Sequence, residues 1–375
     1  MNKSQEGVAA KPQTSINQNA PHQPFLAFFQ RWEWILVALI IAVVVLNTRL
    51  SPYFLNVQNL SRASSDFMEI GLMMLPMVFI IITGSVDLSV ASNMGMSASL
   101  MGLLHNLGVN IWLAVLAGLV LGTLGGFLNG YLVARVKLPA LVVTLGTYAL
   151  FRGIAYGFLG DQAARDYPAA FNFFGQGTVF GKLLPFSVVL FLALAVIFAL
   201  VLHRTTTGRY LFAIGNNENA TIYSGVSVTR IKLIIFTLSG FISALAGMVL
   251  AARFGSTRPD IGTGLELTVI TAAVLGGVDI NGGSGTMWGA ALSLLLIGLM
   301  RFGMGLINIQ GQVQGVVIGL LLIFSILLPN IGRNLSAKGM KIRWQSIAAA
   351  AIFAAILVLF FLFFFWSRAA VIAKI

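Results

Sequence analysis

Two carboxylates stand at matching places in this chain. Asp87 lies in Gly84-Ser-Val-Asp-Leu-Ser-Val-Ala-Ser92, and Asp279 in Gly276-Gly-Val-Asp-Ile-Asn-Gly-Gly-Ser284. Each follows an apolar run (75–83 and 267–275), and each has a hydroxyl or amide two residues on, at Ser89 and Asn281. Backbone at membrane depth must satisfy its own hydrogen bonds, so such breaks are tolerated only against protein or a wet cavity. Three chemistries suit the pattern. The acids cap the following helices, carry a proton or cation as in an ion-coupled secondary transporter, or line a polar solute's route as a gate. With Ser89 and Asn281 they form the candidate pathway or gate.

Other reactive groups are sparse. The chain has no cysteine, which excludes disulfides, thiolate metal sites and cysteine nucleophiles. His22, His105 and His203 are dispersed, so no metal site or catalytic triad assembles from them. A Gly-Xaa4-Gly-Lys-Ser/Thr phosphate loop is absent; any ATP used by this system is bound elsewhere. Asp66 and Glu69 precede an apolar run, beside Ser61, Arg62 and Ser64, and read as acids at a solvated, positive helix start. Met73, Met74 and Met77 form a packing stripe.

The polar segment from His203 to Lys232 is the most informative loop. Asn217 is placed to cap a short helix from Glu218 to Ser224, and Gly225 to close it. A short capped helix on the cytoplasmic face either docks a soluble partner or lies on the membrane surface.

The elements that position these residues are membrane helices. Of 375 residues 58% are hydrophobic and only 9% charged, with mean hydropathy +0.92. Soluble domains carry about 25% charged residues. The chain is therefore an all-α integral membrane protein. Its net charge of +12 sits mostly in loops, where it sets topology and contacts anionic lipid rather than nucleic acid. Apolar runs place helices near 34–48, 67–83, 88–105, 111–133, 139–158, 184–202, 231–252, 266–279, 285–303, 312–330 and 346–366. Residues 1–30 read as a disordered cytoplasmic tail, 31–335 as the membrane domain of about ten core helices, and 336–375 as an extra C-terminal helix and tail. Lysine and arginine at 134–138, 203–231 and 331–345 put those loops inside. Trp32, Trp34 and Trp344 read as interface anchors. The aspartate stretches align at a constant offset of 192 residues, Gly84 with Gly276 and Ser92 with Ser284, which reads as an internal repeat.

Residues 55–330 also resemble, in order and spacing, the membrane permease subunits of bacterial ABC importers for monosaccharides, the ribose, xylose, arabinose and galactose group. The matching pieces include 83–92, 138–147, Arg152-Gly153, 207–210, 213–217, Ser239-Gly240, 273–278 and 282–285. Within that group 64–66 and 254–258 with Asp260 look closest to permeases for autoinducer-2 and rhamnose. The resemblance implies a multi-pass protein of the bacterial inner membrane that hydrolyses nothing itself and holds no cofactor. It further implies two cytoplasmic ATPase subunits, a periplasmic sugar-binding protein and a second permease copy or related permease as partners. It places Asn216, Asn217, Glu218, Ala220 and Gly225 on the short helix that enters the ATPase. Ala91 replaces a glycine common in the first turn, so that turn is expected to be less free to adopt positive φ.

Overall fold

The apolar runs become helices in a computed structural model, which describes residues 32–179 and 184–337. The expected tail, the helix at 346–366 and Trp344 lie outside the described residues. The helices expected at 34–48 and 67–83 are α1 (Trp32–Leu50) and α3 (Met68–Ile82), with a short α2 (Val57–Ser65) between them. Next come α4 (Val90–Asn106), α5 (Ile111–Ala134) and α6 (Ala140–Leu159). A short α7 (Ala169–Gln176) and a two-stranded hairpin, β1 (Thr178–Val179) with β2 (Leu184–Pro185), lead into α8 (Phe186–Arg204). The loop at 203–231 holds two helices, α9 (Thr206–Asn216) and α10 (Glu218–Tyr223). Then follow α11 (Val228–Phe254), α12 (Leu265–Leu275), α13 (Met287–Leu306) and α14 (Gly311–Ala337).

Among the described residues, α1, α5, α6, α8, α11 and α13 are long and apolar enough to cross a membrane, and α2 with α3 forms a pair bent by 50°. Beyond Glu69 in its first turn, helix α3 is apolar all round, and every one of its residues is buried. A helix with no polar face belongs in the middle of a bundle, and α3 packs there against α8, α11, α12 and α13. Exposed apolar residues lie instead on the outer helices, such as Leu116 and Leu124 on α5 and Leu141 and Leu145 on α6.

The most extensively packed helix pair is α5 with α11. Gly118, Gly122, Gly126 and Gly130 recur every fourth residue and so share one face of α5. A Cβ on Gly126 would overlap the Phe236 carbonyl oxygen and stand 2.7 Å from the Gly240 Cα. Small residues let two backbones meet where dispersion, rather than water, drives association. Gly126→Leu is expected to force these helices apart and cost at least about 1–3 kcal/mol. Loss of the monodisperse peak in fluorescence-detected gel filtration would show it; an unchanged melting profile would contradict it.

Candidate functional site at the meeting of two glycine turns

Helices α3 and α12 end alike. Gly84 N–H donates to the Ile81 carbonyl (2.8 Å) and Ser85 N–H to Ile80 (3.1 Å); Gly277 and Val278 repeat this on Val274 (2.9 Å) and Ala273 (3.3 Å). The residue closing such an end is left-handed, and Gly84 (φ 74°) and Gly277 (φ 86°) supply it without a Cβ penalty. Ala91 lies inside α4, where positive φ is not required, so the departure expected to stiffen the first turn leaves its geometry intact.

Each aspartate then folds its own turn. Asp87 Oδ1 accepts from the backbone N–H of Ser89 (2.9 Å) and from its hydroxyl (2.7 Å). Asp279 Oδ1 accepts from the N–H of Asn281 (3.0 Å) and from its side-chain amide (3.1 Å). The 192-residue register holds at the acids, while the cap glycines sit 193 apart. Neither acid is the N-cap of a helix: Ser89 precedes α4, and Thr286 caps α13 by accepting from Gly289 N–H (3.0 Å). The capping expectation is corrected to turn formation, because residue i+2 offers both a backbone and a side-chain donor.

Their surroundings differ. Asp87 is 2% exposed. Its Oδ2 accepts from the Ser239 hydroxyl on α11 (3.2 Å), while Ser89 Oγ accepts from the Asn129 amide on α5 (2.7 Å). Thr144 of α6 donates to the Val86 carbonyl (3.3 Å). Asn129 is five residues from the end of α5, so this cluster lies about 7 Å inside the bundle. Asn281, by contrast, is exposed and Asp279 half-buried. Asp87→Ala strands several buried donors at once and is expected to cost about 2–4 kcal/mol, with Asp87→Asn milder and Asp279→Ala below about 1 kcal/mol. Melting temperatures of the purified variants check that ranking.

The two turns touch. Gly283 N–H donates to the Ile82 carbonyl (2.9 Å), and a Cβ on Gly282 would stand 2.8 Å from Gly84 N. The C-terminal end of α9 is pressed onto this joint. A Cβ on Gly215 would overlap both the Ile82 carbonyl oxygen and the Gly283 nitrogen, and the Asn216 amide donates to the Gly283 carbonyl (3.3 Å). Helix α10 continues from there. Asn217 Oδ1 accepts from Ala220 N–H (2.9 Å), and Gly225 (φ 82°) closes the helix with its N–H on Ile222 (2.9 Å). Glu218 pairs with Lys232 of α11 (2.6 Å). Ala220 is exposed, and Tyr223 is 90% exposed beside a half-exposed Ile222.

Thus Asn216, Asn217, Glu218, Ala220 and Gly225 form one continuous element, seated on the joint that Asp87, Ser89, Asp279 and Asn281 fold from either side. Gly215, Gly283 and Ser239 enter the sequence reading only within the family-like pieces, and Lys232 and Asn129 carry no assigned role there. Asn129 and Ser239 carry a readable signal, a polar residue inside an apolar run; the others need the tertiary contact.

At the far end of α11, about 30 Å along the helix from Lys232, Arg253 Nε pairs with Glu69 (2.9 Å) and its Nη1 with Asp66. The expectation of a solvated helix start fails for Glu69, which is 1% exposed. It is buried because the arginine of a neighbouring helix supplies its counter-charge. Nearby, Tyr167 donates to the Thr257 hydroxyl (2.8 Å), and burial pushes its phenol up to about 12. Arg152 of α6 ties the 255–264 loop to α4 by donating to the carbonyls of Pro259 (2.6 Å), Ile261 (3.1 Å) and Ala91 (3.2 Å). His203 accepts from Met287 N–H (3.3 Å) at the start of α13.

The sequence pattern of the family described as branched-chain amino acid transport system / permease component matches residues 59–326. The autoinducer 2 import system permease protein LsrD of Klebsiella pneumoniae subsp. pneumoniae is 38% identical over 311 residues, 81% of this chain and 92% of that protein. LsrD of Escherichia coli is 36% identical over 318 residues, 83% of this chain and 94% of its own. A solved ABC transporter assigned to the metal-chelate type, facing inward, covers 88% of this chain and 98% of its own, at 15% identity and TM-score 0.41. That likeness is too slight to carry weight.

Proposed function

Because this chain belongs to the family described as branched-chain amino acid transport system / permease component, we propose that it forms the membrane pathway of an ATP-driven importer for a small sugar-like solute. The solute class comes over from the LsrD relatives, whose names specify autoinducer 2 import. The membrane is the bacterial inner membrane. ATP is bound and hydrolysed by two cytoplasmic partner subunits, a periplasmic binding protein delivers the solute, and a second permease completes the pathway. Ten helices (α1, α3–α6, α8 and α11–α14) make up the membrane core of this reading, in two halves that repeat around the aspartate turns.

One observation carries it. The capped, surface-exposed α10 follows directly on α9, whose end stands on the joint between the two halves through Gly215 and Asn216. Closure of the ATPases on α10 moves α9, and α9 moves the ends of α3 and α12 together, because Ile82 and Gly283 are bonded to one another. Asp87 takes no part as an ion carrier in this scheme. Its oxygens are already engaged by Ser89 and Ser239 of its own subunit.

Reconstitution in proteoliposomes tests the reading. Uptake should require ATP, the ATPase subunits and the binding protein, and should persist when proton and sodium gradients are collapsed. Uptake by the permease alone, driven by either gradient, would overturn it in favour of an ion-coupled transporter using Asp87 and Asp279.

A further inference from the structure

Helix α2 is polar along one face. Gln58, Ser61, Arg62 and Ser65 recur at three- and four-residue steps and so lie on one side of it. That side borders a half-open cavity of about 480 Å³, shared with Asp66, Arg253, Gln176 and Thr178. The walls are fixed to one another. A Cβ on Gly175 would overlap the Arg253 backbone, and the Gln176 amide donates to the carbonyls of Ala252 (3.2 Å) and Arg253 (3.1 Å), so the end of α7 is clamped to α11. Arg253 in turn holds the Asp66 carboxylate at the end of α2. The lysine and arginine bias puts the 203–231 loop inside, so this opposite end of α11 faces outward.

Hydrogen-bonding capacity is left over here. Among the described residues, the Arg62 guanidinium, the Gln58 amide and the hydroxyl of Ser65, a residue only 9% exposed, have no partner. Donors and acceptors are mixed, and the charges offset: Arg62 and Arg253 stand against Asp66 and Glu69, both acids paired with Arg253. An anion would meet Asp66 and a cation Arg62, whereas a hydroxyl both donates and accepts and suits either. Sites for small molecules run about 300–1,000 Å³, which leaves room here for a monosaccharide. We propose that this cavity is an outer-face site for a neutral polyol, held through its hydroxyls by Arg62, Asp66, Gln58 and Ser65. Naming that polyol as the transported solute rests on the importer reading; the site itself rests on the cavity. Binding is weak, because the cavity is half open and no aromatic ring among the described residues lines it.

The chain has no cysteine, so Thr178→Cys places a single thiol on the cavity wall. The purified full chain carrying it is labelled with a fluorescent maleimide in D-ribose, L-rhamnose, glycine betaine or sodium sulfate at equal osmolarity. Either sugar should slow labelling, with half-protection in the millimolar range, while glycine betaine and sulfate leave the rate unchanged. Tyr223→Cys, at the other end of the molecule, should label at one rate throughout. Arg62→Gln should raise the sugar concentration for half-protection about tenfold or more, and Ser65→Ala about threefold to tenfold. Both should melt as the parent does, since neither side chain bonds another described residue, and each carries the test if the other does not fold. No protection by either sugar, equal protection at position 223, protection by sulfate or betaine as strong as by sugar, or undiminished protection in both variants would overturn the proposal. The uptake assay judges the importer reading separately. ATP-dependent uptake without protection at position 178 defeats this site alone, and protection alongside gradient-driven uptake upholds a polyol site in a transporter of another class.

Discussion

Tyr223→Asp is expected to weaken recovery of the ATPase subunits with the permease by at least about thirtyfold, while the permease melts as wild type does. The ring is 90% exposed at the end of α10 and next to Ile222, so its loss removes nothing from the permease interior. Exposed substitutions of this kind stay within about 0.5 kcal/mol of stability. An aromatic anchor at the centre of a docking surface is worth about 2 kcal/mol or more on truncation, and an added carboxylate makes its burial costlier still. Glu218→Arg is a poorer probe of docking. It turns the 2.6 Å pair with Lys232 into a repulsion inside the permease and so unseats α10 itself. Recovery of the ATPase at wild-type levels from Tyr223→Asp membranes would remove α10 as the docking element.

Gly215→Val should produce the complementary defect: ATPase bound and hydrolysing ATP, solute uptake lost. The first carbon of any side chain at 215 overlaps the Ile82 carbonyl and the Gly283 nitrogen. Backbone cannot yield as a flexible side chain does, so α9 must lift from the joint. Helix α10 keeps its own cap at Asn217 and closing glycine at Gly225, and so keeps its docking shape. Separating the mover from the moved part should lower uptake about tenfold or more, for a distortion of about 1–3 kcal/mol at the joint. ATPase activity in the same proteoliposomes is the control. A proportional loss of both activities would mean that Gly215 serves assembly rather than transmission.

Structure was legible in the sequence where local signals agree. Asn217 and Gly225 bracket α10 in the sequence as they do in space, because a cap and a left-handed closing residue act over four or five positions. The spanning helices were equally legible, since each is a long apolar run between charged loops. The burial of Glu69 is not legible in the sequence, because its counter-charge, Arg253, lies 184 residues away and only folding brings them together. Helix α9 was hidden inside a loop that is polar on one face and carries Leu211 and Ile214 on the other. The repeat register at Asp87 and Asp279 could be read from type and spacing. That the first acid is sealed among Ser89, Asn129 and Ser239 while Asn281 is exposed could not, since it depends on which helices cover each turn.

In the proposed transport cycle the contact of α9 with the two turns is a strut that moves without breaking. A disulfide tests this directly, since the chain has no cysteine of its own. A Cβ at position 283 would stand 2.9 Å from Asn216 Cγ, a separation that places the two Cβ atoms within disulfide reach. Asn216→Cys with Gly283→Cys, reconstituted with the ATPases and binding protein, should import solute at the same rate oxidised and reduced; the reduced sample discounts any strain from a side chain at Gly283. Loss of uptake on oxidation, restored by reductant, would show that the contact must open during transport and would contradict the account.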